Sequence, residues 1–309
     1  MMNPRFLVRR CLLASCTIAL MSPTCLVAQE ATSEEASVED GARQLNVRFL
    51  ALGHRRLAKF VRSKKARVIK IKTPDGETIE ETIPSGVPIE VLGKEFEYLP
   101  SLVYIRDRRA RKSGGYAVSP LILNAATQEK TLTYRSHLSL FLRKPTGEGG
   151  EQVLSRYVSA PVGEEQTHML MTLVNRFDRH EGWKTPIVKT FDTSPKALPG
   201  GSVLFFNATP FPIEIDVPIG SKVELRTLAP MKSMALKPMI NKDGRTLVRA
   251  RLVAKNGAKR QFYYNSVRLS EDGRAYMFAY FDPRRKTSNP AGMVQFSDEI
   301  EVTSPVSVN

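Results

Sequence analysis

Residues 66–83 read ARVIKIKTPDGETIEETI, and this stretch sets the fold class. Val68, Ile69 and Ile71 interleave with Lys70 and Lys72. Thr73-Pro74-Asp75-Gly76 is a turn, and Thr78-Ile79-Glu80 and Thr82-Ile83 answer from the far side. Neighbouring side chains on a strand point to opposite faces, so alternation about a Pro-Asp-Gly turn predicts a β-hairpin. Ile69 and Ile71 then enter a core, while Lys70 and Lys72 share the wet face.

The same style runs through the chain. Apolar or alternating segments lie at 87–91, 102–105, 118–123, 138–142, 153–158, 169–174 and 187–191. A second series lies at 203–206, 213–217, 223–225, 247–253, 262–267 and 276–281, with turn signals KDG at 242–244, KNG at 255–257 and EDG at 271–273. Many short strands separated by turns argue for β-sandwiches. At 50–61 strand has a competitor: Leu57, Phe60 and Val61 also fit one short amphipathic helix, and both readings stand there. The segment DTSPKALPGG at 192–201 divides the pattern. The expectation is an all-β chain of two tandem immunoglobulin-like β-sandwich domains, at 44–194 and 195–303, with a tail at 304–309. No internal repeat is visible by letter identity.

Within the block IVKTFDTSPKALPGGSVLFFNATPFPIEIDV (187–217), a strand ends in an Asp-Thr-Ser-Pro turn. A Pro-Gly entry, an apolar strand, an Asn and an alternating strand follow. Together with VRFLAL at 47–52, this resembles exported proteins of Verrucomicrobia and Planctomycetes whose activity is unassigned. The resemblance implies tandem β-sandwich modules in the cell envelope, and it transfers no functional residue.

The chain opens MMNPRFLVRRCLLASCTIALMSPTCLVAQE. Arg5, Arg9 and Arg10 form a positive segment, an apolar stretch follows, and Leu26-Val27-Ala28 suits a cleavage site. This is the layout of a secretory signal peptide at 1–28, with an exported, periplasmic or secreted product. The apolar stretch is well short of the roughly 20 residues of a spanning helix. Leu13-Ala14-Ser15-Cys16 has the form of a lipobox, but it follows Arg10 too closely to leave an apolar core, so a lipid anchor on Cys16 is not expected. All three cysteines (Cys11, Cys16, Cys25) lie in this segment, so the cleaved chain has no disulfide and no thiolate chemistry. Residues 29–43 are acidic and nearly free of large aliphatics, and read as a flexible leader. The body behind them is basic, in a chain whose net charge is +15.

Catalytic motifs are missing. The histidines are His54, His137, His168 and His180, and none has HExxH or metal-ligand spacing. There is no GxSxG elbow, no GxGxxG and no Walker loop. Glu80-Glu81 and Glu164-Glu165 are adjacent, so on a strand they face opposite ways and cannot share one bond. Met231, Met234 and Met239 read as core filling rather than a copper site. Asn207-Ala208-Thr209 has the form of a glycosylation sequon but reads as a strand corner. Trp183, the single tryptophan, reads as buried rather than as a sugar platform. No cofactor or metal is expected.

The cations are concentrated at HRRLAKFVRSKKARVIKIK, residues 54–72, and at RDRRARK, residues 106–112. Arg55, Arg56, Lys59, Arg62, Lys64, Lys65, Arg67, Arg108, Arg109, Arg111 and Lys112 are therefore the candidates for holding an anionic envelope polymer, a lipid headgroup or an acidic protein. A structural role competes, because lysine on a sheet edge prevents edge-to-edge pairing. Nucleic acid does not suit an exported chain without a stacking motif. The expectation is a non-catalytic binding or structural module of the bacterial envelope. A strand-donating periplasmic chaperone and a hydrolase with a site hidden from sequence are the alternatives.

Overall fold

The computed structural model describes residues 43–54, 59–62, 64–91, 99–107, 115–134, 136–145, 152–176, 182–283 and 290–300. The expected signal peptide, the acidic leader up to residue 42 and the tail lie outside these. Among the described residues every regular element is a strand. Up to residue 192 they are β1 (Arg43–Leu52), β2 (Lys59–Arg62), β3 (Arg67–Lys72), β4 (Thr78–Ile83), β5 (Pro88–Val91), β6 (Leu102–Arg106), β7 (Tyr116–Pro120), β8 (Lys130–Tyr134), β9 (His137–Pro145), β10 (Gln152–Pro161), β11 (His168–Val174) and β12 (Ile187–Asp192). From residue 202 they are β13 (Ser202–Asn207), β14 (Ile213–Ile219), β15 (Lys222–Leu228), β16 (Ser233–Leu236), β17 (Arg245–Val253), β18 (Lys259–Arg268), β19 (Gly273–Phe281) and β20 (Ala291–Glu299).

Four larger sheets pack in sandwich fashion. Their orders are β4-β3-β10-β9-β6-β7, β12-β11-β1-β8, β16-β13-β19-β20 and β15-β14-β17-β18, and a small β2-β5 pair stands apart. Strands up to β12 pair only among themselves, as do those from β13 onward. Three apolar layers fill the gaps between the four sheets. Val47 and Phe49 of β1 meet Val103 of β6 and Leu140 of β9. The other face of β1, through Leu50 and Leu52, joins Phe206 of β13 and Phe278 of β19. Val203 and Phe205, on the far face of β13, meet Ile213, Ile215 and Val248. The middle layer ties the two halves together, and the described residues form one compact unit.

This layering explains the strand sequences. SVLFFN of β13 and HMLMTLV of β11 are apolar nearly throughout because both their faces are covered. RTLVRARLV of β17 alternates because only one face is covered. The hairpin at 66–83 is β3 and β4, paired antiparallel from Arg67↔Ile83 to Lys72↔Thr78. Ile69 and Ile71 are buried, and Lys70 and Lys72 are exposed. Within 50–61, residues 50–52 belong to β1 and 59–61 to β2, and no described residue there is helical. β2 and β3 belong to different sheets: β2 pairs with β5, not with β3.

The two halves repeat one eight-strand pattern. β1 pairs parallel with β11 and antiparallel with β8, and β11 pairs antiparallel with β12. β13 does the same with β19, β16 and β20. In the outer sheets β10-β9-β6-β7 matches β18-β17-β14-β15. Register then equates Val47 with Val203, Phe49 with Phe205 and Met171 with Met277. Two irregularities confirm it. A bulge leaves Tyr157 unpaired on β10, and another leaves Phe262 unpaired on β18. Asn124 (φ 56°) and Met231 (φ 59°) are the non-glycine residues with positive φ among those described. Their N–H groups bond to the equivalent Ala51 and Asn207 carbonyls, each at 2.7 Å.

The first half has an addition. Between β1 and β6 it inserts β2 to β5, and β3 joins the free edge of β10 through Gln152↔Ile71 and Val153↔Lys72. The β3–β4 hairpin covers the outer face of its sheet. Ile69, Ile71, Ile79 and Ile83 pack on Tyr104, Tyr116, Phe141 and Leu154. Glu81 reaches over that face to bond Arg143 at 2.5 Å.

Candidate functional site: a basic cleft beside the inserted hairpin

Where the hairpin stops, a cleft of about 510 Å³ opens on the outer face of the first half. The turn at Pro74 forms one wall. His137, Ser139 and Phe141 from β9 and Leu154 and Arg156 from β10 form the floor, with Arg106 of β6 and the β8–β9 corner (Thr133, Tyr134, Ser136) around them. Period two puts His137, Ser139 and Phe141 on one face of β9. Arg156 stands opposite Phe141 and shares that face.

The cleft is rich in donors and poor in acids. Arg106 meets Asp75 of the hairpin turn at 3.2 Å, an exposed pair. Arg156 is exposed, and no acid pairs with it among the described residues. Ser136 Oγ lies 3.1 Å from His137 Nδ1. Asp107 accepts from the Thr133 N–H of β8 at 3.3 Å. Phe141 and Leu154 make the base apolar, so the site combines guanidinium, imidazole and hydroxyl groups over a hydrocarbon floor. Such a set suits a carboxylated, sulfated or phosphorylated group on a body with hydroxyls. Among the described residues no three His, Cys, Asp or Glu side chains are arranged to hold a metal.

The sequence candidates are scattered by comparison. Arg55, Arg56, Arg108, Arg109, Arg111 and Lys112 lie outside the described residues, and of Lys59 and Arg67 only the strand backbone is described. Arg62, Lys64 and Lys65 are exposed at and after the end of β2. Arg106, at the start of the second basic segment, is in the cleft; His137 and Arg156 are brought there by strand register.

Other singled-out residues have structural work. Trp183 is fully buried in the core of the first half, and its carbonyl accepts the Tyr157 hydroxyl. Burial pushes the Tyr157 phenol far up from its ordinary value. Asn207 is fully buried and ties a strand corner. Its Nδ2 donates to Phe211 O (2.8 Å) and Leu228 O (2.9 Å), and its Oδ1 accepts from Thr209 N (3.0 Å) and Oγ1 (2.8 Å). Met231 and Met234 pack against two different apolar layers, whereas Met239 is exposed.

No protein-family model matches the chain, and neither does any curated protein. A solved structure described as an NMR structure of a protein from Eubacterium rectale overlaps 33% of this chain and 90% of its own, at 17% identity and a TM-score of 0.21.

Proposed function

We propose that the protein is an exported, non-catalytic binding module of the bacterial envelope that holds an anionic polymer through the cleft beside the inserted hairpin. The export reading rests on the signal-peptide layout of residues 1–28. The binding reading is carried by one observation. Among the described residues Arg156 has no acid partner, and it lines a cleft that Arg106 also lines. A guanidinium at the surface needs no counter-ion to be stable, but placed over an apolar floor beside hydroxyl donors it is ready to take a carboxylate or sulfate in bidentate fashion. The volume suits one or two sugar rings.

The test uses polygalacturonate as the acidic probe and dextran as the neutral one, by titration calorimetry at low salt. The expected result is binding to polygalacturonate alone, weakening steeply as salt rises toward about 0.15 M, where screening reaches roughly 8 Å. Arg156→Glu should abolish it with little change in melting temperature, since exposed charges contribute little to the fold. Equal binding of dextran, or an unaffected Arg156→Glu protein, would overturn the reading.

A further inference from the structure

We infer that the outer face of the second half is a docking surface for an anionic lipid bilayer. This site is separate from the cleft and built from the opposite end of the chain.

The argument starts with exposed apolar side chains. In the second half the large ones are Val223, Leu225, Met239, Leu247 and Tyr264. They are not scattered. In the register of the β15-β14-β17-β18 sheet, Val223 stands opposite Pro218, Leu225 opposite Asp216, and Tyr264 opposite Arg249. Leu247 is two residues from Arg249 and shares its face. Met239 lies beside Pro218, to whose carbonyl its N–H donates at 2.8 Å. One sheet face therefore gathers all five, four on it and Met239 beside it. Val223 is 69% exposed and Tyr264 53%.

Cations border this patch. Residues 244–270 hold seven Lys or Arg and no acid. Arg245 and Arg268 are directly opposite each other on β17 and β18. Both are exposed, and neither has an acid partner among the described residues. Like charges held side by side are unfavourable unless something anionic lies across them. Arg249 leans over the Tyr264 ring, 5.1 Å from its centroid.

Three features select the occupant. The face carries exposed aliphatic tips and a tyrosine, with guanidinium groups among and beside them. That is the arrangement of groups that sit at the headgroup boundary of a bilayer. A dry protein partner is disfavoured, because Glu214, Arg251 and Lys259 hold the middle of the sheet with ion pairs (Lys259 to Glu214 at 2.7 Å). A second copy seated face to face, with its twofold axis near Arg245 and Arg268, would bring that arginine pair against itself.

The experiment is co-sedimentation of the full mature chain with vesicles of phosphatidylcholine, pure or carrying phosphatidylglycerol at about one part in three. Binding to the mixed vesicles and not to the pure ones is expected. Arg245→Glu with Arg268→Glu should lower partitioning by more than about tenfold, at about one charged contact's worth per residue reversed. Val223→Ser with Leu225→Ser should lower it several-fold without changing the melting temperature. Arg156→Glu, in the cleft, should leave it unchanged. Three results overturn the inference: no sedimentation with mixed vesicles at low salt; loss through Arg156→Glu instead of the Arg245/Arg268 pair; or a concentration-dependent dimer in ultracentrifugation that the Val223/Leu225 variant abolishes.

Discussion

The same four sheet positions have different chemistry in the two halves. In the first they are Tyr104, Tyr116, Phe141 and Leu154, buried beneath the β3–β4 hairpin. Register places Glu214, Leu225, Arg251 and Lys259 at the equivalent points of the second, where no hairpin lies above among the described residues. Glu214 bonds Lys259 at 2.7 Å and approaches Arg251 at 3.6 Å. The backbone does not decide what an outer sheet face is made of; its cover does. A covered face gains from hydrocarbon at a few kcal/mol per large side chain. An uncovered one gains nothing from hydrocarbon, and ion pairs in water keep it soluble at little net energy.

Exchanging residues between the halves should break this symmetry unevenly. Phe141→Arg puts a guanidinium beneath the hairpin without an acid of its own, and should cost about 3–5 kcal/mol in urea unfolding. The reverse exchange, Arg251→Phe, strips partners from Asp216 and Glu214 at a half-open surface and should cost only about 1–2 kcal/mol. Equal losses would mean that the hairpin is no real cover. Truncation gives a second contrast. Ile71→Ala, from the hairpin, should cost about 2–5 kcal/mol. Leu225→Ala, on the bare face, should stay within about 0.5 kcal/mol.

A third contrast concerns the matching bulges. Tyr157 and Phe262 occupy the same point, but only Tyr157 carries a hydroxyl, bonded to the Trp183 carbonyl. Tyr157→Phe should cost about 1 kcal/mol at neutral pH. Burial raises the Tyr157 phenol above its ordinary value of 10.0, so the unfolded chain loses that proton first. Stability is therefore fully present below about pH 10 and falls as pH rises beyond it. Tyr157→Phe should make that alkaline fall shallower. Tyr276 adds to the same fall: burial, with the Asp298 carboxylate beside it, also raises its phenol.

Most strands announced themselves because period two survives wherever one face is wet, as in β3, β14 and β17. β8 (KTLTY) and β20 (AGMVQFSDE) did not, being short of large apolar residues. The duplication is hidden in the sequence for a different reason. Core positions constrain volume and polarity more than identity, so Leu50 answers to Phe206 and Leu170 to Tyr276, and few letters agree. The cleft was legible only at Arg106. His137 and Arg156 join it through pairing between distant strands, which no local window contains. The cations at 54–72 are dense in the sequence, whereas those of β17 and β18 are diluted by the core residues between them.

The middle apolar layer has a further consequence. Leu50, Leu170 and Phe191 on one side are the register equivalents of Phe206, Tyr276 and Phe296 on the other, and all six belong to one cluster. Phe191 meets Phe206 at 5.2 Å between ring centroids, and Arg48 crosses to Asp298 at 2.8 Å. A surface that packs against its own copy is self-complementary, which is the geometry of a twofold homodimer. Here the two subunits are one polypeptide, joined by residues 193–201. A free homodimer falls apart on dilution, because its stability depends on protomer concentration. This seam holds at any dilution, since the linker keeps the partner's effective concentration high.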